Sequence, residues 1–144
     1  MSNPQAAEKT FCEGFNCCQA VLSTYGEEFD LDRRTALRLG TAFGGGIAMM
    51  GETCGAVTGA FMLIGLKHGR TDASDPGPRD AAHALARQFV KEFKQRHGSI
   101  ICKELIGFDL STPEGLEQAR QKGLFTSLCP KLVHDAAEIV EKML

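Results

Sequence analysis

The fold is decided by the stretch that runs from Cys54 to Leu66, CGAVTGAFMLIGL. It contains no charged residue, and a helix that is apolar on all its sides is normally buried. It is shorter than the roughly 20 residues that a helix needs to cross a bilayer, and Glu52 interrupts the apolar sequence just before it. The stretch therefore predicts a helix buried inside a globular domain, and no membrane span.

The flanking sequence also favours helices, because no segment shows the sustained alternation of a half-buried strand. Several polar residues stand where a helix is expected to begin. The expected caps are Asn16 before Cys17, Asp30 or Asp32, Thr53 before Cys54, Ser99, and Ser111 or Thr112, with Pro130 as the first residue of a final helix. The sequence predicts an all-α fold, a compact bundle of about five to seven helices that forms a single domain over residues 1–144.

The composition and the net charge limit the possible classes of function. Of 144 residues, 16 are Lys or Arg and 18 are Asp or Glu, which gives a net charge of −2 without a basic stripe. A nucleic-acid partner is therefore not expected. Met1–Glu8 has neither the basic start nor the apolar core of a secretory signal, so we expect a cytoplasmic protein, in which standing disulfides are rare. With six cysteines and no tryptophan, function is to be sought among the thiols.

The cysteines coincide with the predicted helix starts. Cys17 and Cys18 follow the Asn16 cap, and Cys54, Cys102 and Cys129 each lie at or near the start of a later helix, whereas Cys12 does not. The free N–H groups and positive end of a helix dipole favour a thiolate and lower the pKa of a thiol. Four such positions indicate a redox or metal-binding role for Cys17, Cys54, Cys102 and Cys129.

The spacing of these cysteines disfavours two common kinds of site. No Cys-x-x-Cys is present, and zinc ribbons and thioredoxin-like redox sites both use such close pairs. Cys17 and Cys18 are adjacent and would point in different directions on a helix, so they do not form a favourable disulfide. Any common site must be assembled by tertiary folding that brings several helix ends together.

Two sets of glycines lie beside the predicted thiol site. Gly55 and Gly59 share one face of the central helix, where a neighbouring backbone can approach closely or where a cofactor beside Cys54 can be accommodated. Gly45 and Gly46 belong to a glycine-rich segment predicted as a loop, which could cover Cys54 or form an anion-binding nest. These four glycines are the candidate cofactor-binding residues.

The segment CGAVTG at 54–59, with Gly14-Phe15-Asn16-Cys17 before it and the single cysteines 102 and 129 after it, resembles the C_GCAxxG_C_C family of redox-active proteins. The resemblance extends from about Phe11 to the last helix. It implies that Cys17, Cys54, Cys102 and Cys129 are the family's four cysteines, although Cys18 stands where a small residue is expected and is a second candidate for the first thiol. The chain also resembles the iron–sulfur-associated domain of split-Soret cytochromes, but without a Cys-x-x-Cys-His motif covalent haem is not expected.

Two versions of redox chemistry follow for an oxidoreductase or electron carrier that serves a redox partner protein. The four thiolates could ligate a [2Fe–2S] cluster, or the thiols could cycle between dithiol and disulfide. The alternative is a non-redox helical interaction module, in which the four cysteines hold a structural zinc or are packed as core. A homodimer is also expected, because the all-apolar central helix needs to be covered.

Overall fold

A computed structural model describes residues 1–144. It contains nine α-helices and no strand: α1 (Asn3–Cys12), α2 (Cys17–Tyr25), α3 (Arg33–Gly40), α4 (Gly55–His68), α5 (Pro76–His97), α6 (Cys102–Ile106), α7 (Pro113–Gln121), α8 (Leu124–Ser127) and α9 (Cys129–Glu141). Two short 3₁₀ segments, Gly26–Phe29 and Thr41–Phe43, lie on either side of α3. The all-α prediction is confirmed.

The predicted number of helices is too low, because α1 and the single-turn helix α8 were not expected. Helix α1 carries a local signal that could have revealed it. The Ser2 side chain accepts the Gln5 N–H while the Gln5 side chain accepts the Ser2 N–H, which is a capping box. Helix α8 spans only four residues, too few for any apolar periodicity to show.

Three of the predicted caps are confirmed. The side chains of Asn16, Asp32 and Thr112 accept backbone N–H groups at the starts of α2, α3 and α7. Of the two predicted choices at the start of α3, Asp32 is the cap, and Asp30 lies before it in a left-handed conformation. Pro130 is not the first residue of the final helix, because Cys129 precedes it within α9.

The other two predicted caps are wrong for one shared reason. Helix α4 is capped by Cys54 and not by Thr53, and α6 is capped by Ile101 and not by Ser99. Thr53 and Ile101 form an isolated antiparallel bridge, so the chain is still extended at Thr53 and Ser99, and each helix begins only at or directly after its bridge residue. The Ser99 hydroxyl instead accepts the Ile101 N–H.

Helix α4 lies at the centre of the main core. It packs most extensively against α2 and also against α5 and α9, and seven of its residues are buried: Gly55, Ala56, Val57, Gly59, Ala60, Leu63 and Ile64. No helix in the structure combines the length and apolar character that a membrane crossing requires. A second, smaller apolar cluster consists of Cys102, Ile106, Leu110, Ala119 and Cys129, and Cys17 packs against both clusters.

The contact between α2 and α4 depends on Gly59. A Cβ atom there would lie 3.0 Å from the Cys18 carbonyl oxygen and 3.3 Å from the Val21 Cβ. Gly65 lies on the same helix, and a Cβ there would meet nothing within 4 Å. Gly59 is therefore closely packed and Gly65 is not, although both lie in α4.

We expect Gly59→Ala to lower the free energy of unfolding, because overpacking costs about 1–3 kcal/mol and the opposing atoms belong to a helix backbone. Gly65→Ala should raise it by about 0.5–1 kcal/mol, because alanine in a helix loses less conformational entropy than glycine. Urea denaturation followed by circular dichroism measures both changes. Equal stabilisation by the two variants would contradict the close contact of α2 with α4.

Candidate cysteine site

Four cysteines from four helices surround one cavity. Cys17, Cys102 and Cys129 are the first residues of α2, α6 and α9, and Cys54 is the N-cap of α4. All four line a cavity of about 240 Å³, which has room for several water molecules. The cavity lies where the main core meets the smaller apolar cluster, so no single helix forms it.

Within this cavity the thiols lie close enough to influence one another. Cys54 and Cys129 both affect the pKa of Cys17, and the same two groups affect that of Cys102. All six cysteines of the chain are free thiols. No three His, Cys, Asp or Glu side chains are arranged so that they could hold a metal ion.

Asn16 positions Cys17 at the cavity. Its side-chain oxygen accepts the Gln19 N–H at 2.9 Å, and its amide nitrogen donates to the Gly40 carbonyl oxygen at 3.0 Å. The Gln19 side chain accepts the Asn16 N–H in return at 2.8 Å. The start of α2 is thereby held to the end of α3, which fixes the direction in which the first residue of α2 faces.

A short antiparallel pairing positions Cys54 and Cys102. The Cys54 N–H donates to the Ile100 carbonyl at 2.7 Å, and the Cys102 N–H donates to the Glu52 carbonyl at 2.6 Å. Each cysteine thus begins a helix immediately after a backbone bond to the segment that carries the other. This pairing joins two parts of the chain that are remote in sequence, which is why the pattern of helix signals alone did not reveal it.

The pKa of Cys54 is lowered, as expected of a thiol at a helix start. The largest cause is its hydrogen bond with Cys17, and the backbone N–H groups of Ala56 and Val57 at the start of α4 add to it. Burial opposes this lowering, since Cys54 is only 3% exposed. Cys54 is therefore the thiol of the site that ionises most readily among those whose pKa is shifted.

The other shifted thiols do not follow the expectation of a lowered pKa. Hydrogen bonds with Cys129 and Cys54, followed by burial, raise the pKa of Cys17 well above its ordinary value. Burial raises the pKa of Cys102 to about 12. A position at a helix start is thus insufficient when the thiol is buried among other thiols.

Cys18 and Cys12 lie outside the cavity. Cys18 is fully buried between α2 and α4, and burial raises its pKa to about 11 although the nearby Thr58 side chain opposes this rise. Cys12 is exposed at the end of α1. Of the adjacent pair, Cys17 is the thiol that faces the cavity.

Three of the four candidate glycines border the cavity, namely Gly45, Gly46 and Gly55. A Cβ on Gly46 would lie 2.5 Å from the Cys102 Cβ, so the backbone passes directly over that thiol. Gly59 does not line the cavity but packs against Cys18.

A left-handed turn covers part of the cavity. Gly45, Gly46, Ile47, Ala48 and Met49 all have positive φ, between 48° and 70°. The turn is closed by backbone bonds from Ala48 N–H to the Ala42 carbonyl and from Glu52 N–H to the Gly46 carbonyl, each 2.8 Å long. Left-handed backbone costs a non-glycine residue about 1–2 kcal/mol, so this segment is strained where it borders the thiols.

We expect Ala48→Gly to raise the free energy of unfolding by about 0.5–1 kcal/mol, because glycine adopts positive φ without the steric cost. Ala48 is exposed, so the substitution removes no core contact. Ala42→Gly is the matched control, since Ala42 is exposed in the preceding 3₁₀ segment and should lose stability or remain unchanged. Urea denaturation measures the free energy of unfolding of both variants. A lower value for Ala48→Gly than for the unsubstituted protein would argue against the left-handed turn.

The lining of the cavity carries no charged side chain. Apart from the cysteines, its only polar side chain is that of Asn16; the remaining residues are Phe11, Gly14, Phe15, Gly44, Gly45, Gly46, Met49, Gly55, Leu105, Ile106, Leu110, Phe125 and Leu132. Burying a net charge there would be costly unless a hydrogen-bonding partner compensates. At Cys54, a neighbouring thiol and backbone N–H groups compensate for the cost of burying the thiolate charge.

The fold and the site together define an all-α protein with a multi-cysteine cavity formed by four helix starts. The sequence model of the family described as "Putative redox-active protein (C_GCAxxG_C_C)" matches residues 15–143. The chain belongs to this family, as its cysteine and glycine pattern predicts. No curated protein and no solved structure matches the chain.

Proposed function

We propose that this protein is a thiol-based redox protein in which Cys54 and Cys17 cycle between a dithiol and a disulfide. The observation that carries the proposal is that both thiols line one cavity, where the start of α4 at Cys54 and Gly55 packs against the start of α2 at Cys17. Thiol–disulfide exchange needs a thiolate to attack and a second thiol within reach to resolve the product. Cys54 supplies the first and Cys17 the second.

The electron balance is that of a two-electron exchange. The Cys54 thiolate attacks one sulfur of a substrate disulfide, forms a mixed disulfide and releases the other substrate sulfur as a thiolate. Cys17 then loses its proton to that thiolate and attacks the Cys54 sulfur, which closes the Cys17–Cys54 disulfide and expels the second substrate thiolate. The protein loses two electrons and the substrate disulfide gains them, and the reverse sequence oxidises a substrate dithiol.

Cys129 and Cys102 have supporting roles in this proposal. Cys129 lies close enough to Cys17 to affect its pKa, so it can help to hold the Cys17 thiol in place. Burial keeps Cys102 protonated at neutral pH, because its pKa is raised to about 12. In a reducing compartment such as the cytoplasm all four thiols would rest reduced, awaiting a redox partner protein or a small disulfide.

A [2Fe–2S] cluster is the second candidate, and the cavity itself favours it. Four cysteine thiolates are the donor set that such a cluster uses, and these four surround a space with no other donor competing for it. Cys17, Cys54, Cys102 and Cys129 would hold the cluster, which would supply one-electron transfer. Structural zinc has less support, since the thiols are not arranged around a single ion position.

One preparation separates the two candidates. The protein is purified without oxygen, and its visible spectrum, iron and acid-labile sulfide are measured on the same sample. A colourless, iron-free protein that loses two hydrogens on mild oxidation and yields a cross-linked peptide pair containing Cys17 and Cys54 supports the dithiol proposal. Sulfur-to-iron absorption bands with stoichiometric iron and sulfide would replace it with the cluster.

The pH dependence of alkylation tests the contact of the two thiols. Because the pKa of Cys54 is lowered chiefly by Cys17, its thiolate persists to lower pH than that of an unperturbed cysteine. Cys17→Ala removes this hydrogen bond, so the alkylation profile of Cys54, followed by peptide mass spectrometry, should move to higher pH. Cys12→Ala, at an exposed position outside the cavity, is the control and should leave the profile unchanged. An unshifted profile in Cys17→Ala would show that the two thiols are not coupled.

A further inference from the structure

The lining and size of the cavity indicate which disulfides can reach Cys54, an inference that rests on the proposed function. We propose that the substrate of this site is a small, uncharged disulfide, and neither an anionic peptide disulfide nor a disulfide on the surface of a protein. Volume, charge and burial each support this assignment from a different observation.

Volume limits how much of a substrate can be buried beside the thiols. The cavity of about 240 Å³ has room for several water molecules. A small dialkyl disulfide fits this space, whereas most of a peptide disulfide such as oxidised glutathione would have to remain outside it. A Cβ atom at Gly46 would collide with the Cys102 Cβ, so the backbone is already as close to that cysteine as Gly46 allows.

Charge selects among molecules of similar size. No lysine, arginine, aspartate or glutamate lines the cavity, so a charged substrate would lose its hydration and gain no counterion except, for a cation, the Cys54 thiolate with which it reacts. The walls are formed largely by Phe11, Phe15, Phe125 and aliphatic side chains. An uncharged substrate incurs no such penalty and buries apolar surface instead.

Burial excludes a large partner from direct attack. Cys54, Cys102 and Cys129 are 3%, 6% and 4% exposed, and Cys17, the most accessible of the four, is only half-buried. A disulfide on a folded protein could not approach the Cys54 sulfur in line without entering the cavity. A small molecule can enter beside Met49, the most exposed of the lining side chains at 36%.

The experiment uses three small disulfides that differ in charge. The reduced protein is treated with bis(2-hydroxyethyl) disulfide, which is neutral, with cystamine, which is dicationic and has the same number of non-hydrogen atoms, and with dithiodiglycolate, which is dianionic. Oxidised glutathione is the fourth probe. Formation of the Cys17–Cys54 cross-link is followed by quenched mass spectrometry, and each rate is divided by the rate of the same reagent with 2-mercaptoethanol to remove differences in intrinsic reactivity.

We expect the neutral reagent to form the cross-link at least tenfold faster than any of the three charged reagents. Met49→Glu places a carboxylate at the cavity and should raise the normalised cystamine rate at least threefold relative to that of the neutral reagent. Met50→Glu is the matched control, because Met50 is 51% exposed and does not line the cavity, and it should leave the ratio unchanged. If the Met49→Glu variant fails to fold, the relative rates of the four reagents with the unsubstituted protein still test the proposal.

Two results would overturn the proposal and are distinguishable. If the cross-link forms at equal normalised rates with all the reagents, or fastest with oxidised glutathione, the assignment of a small uncharged substrate is wrong while the Cys17–Cys54 couple stands. If no reagent forms the cross-link, the couple itself is wrong and the substrate assignment falls with it.

Discussion

The site depends on one packing contact, the close approach of α4 to α2 at Gly55 and Gly59. A Cβ at Gly55 would lie 2.9 Å from the Cys18 backbone nitrogen and 3.2 Å from the Cys17 Cβ, so any larger residue would push the two helix starts apart. Because Cys54 directly precedes Gly55, the spacing that lets the backbones meet also places the Cys54 thiol beside that of Cys17. The core of the protein and its thiol site are therefore built by the same contact, and a change at these glycines affects both.

The electrostatics of the site follow from how few groups surround it. A thiolate in an apolar cavity is normally disfavoured by desolvation, and burial does raise the pKa of Cys102 to about 12. Cys54 differs because a neighbouring thiol and the N–H groups of Ala56 and Val57 stabilise its charge. These groups stabilise charge at Cys54 alone. The cavity therefore stabilises one negative charge on Cys54 more readily than several charges shared among its cysteines.

Local features of this fold could be predicted from the sequence, and long-range ones could not. The caps at Asn16 and Thr112 depend on side chains within three residues of the N–H groups they accept, so a short window contains all the information. Thr53 was expected to act in the same way, but its pairing with Ile101, remote in the chain, overrides the local preference.

The glycine-rich segment 44–46 was correctly predicted as a loop. The left-handed backbone that continues through Ile47 contradicts local preference and is imposed by hydrogen bonds across the turn. The candidate cysteines were found from their positions near helix starts, but which of them touch depends on tertiary packing that the spacing does not encode.

Charge is also the reason for proposing a dithiol couple before a cluster in this cavity. A [2Fe–2S] cluster with four thiolate ligands carries a net negative charge, and only the partial charges of the helix starts offset it, since no cationic side chain lines the space. A dithiol needs only one thiolate at a time, and the disulfide that it forms is neutral, so oxidation removes the single charge that the cavity has to stabilise. By the same reasoning, adding a lysine to the lining would favour the charged states: it would stabilise the Cys54 thiolate over the disulfide and lower the tendency of the reduced protein to give up its electrons. The absence of charge around the four cysteines is thus as much a determinant of the site's chemistry as the cysteines themselves.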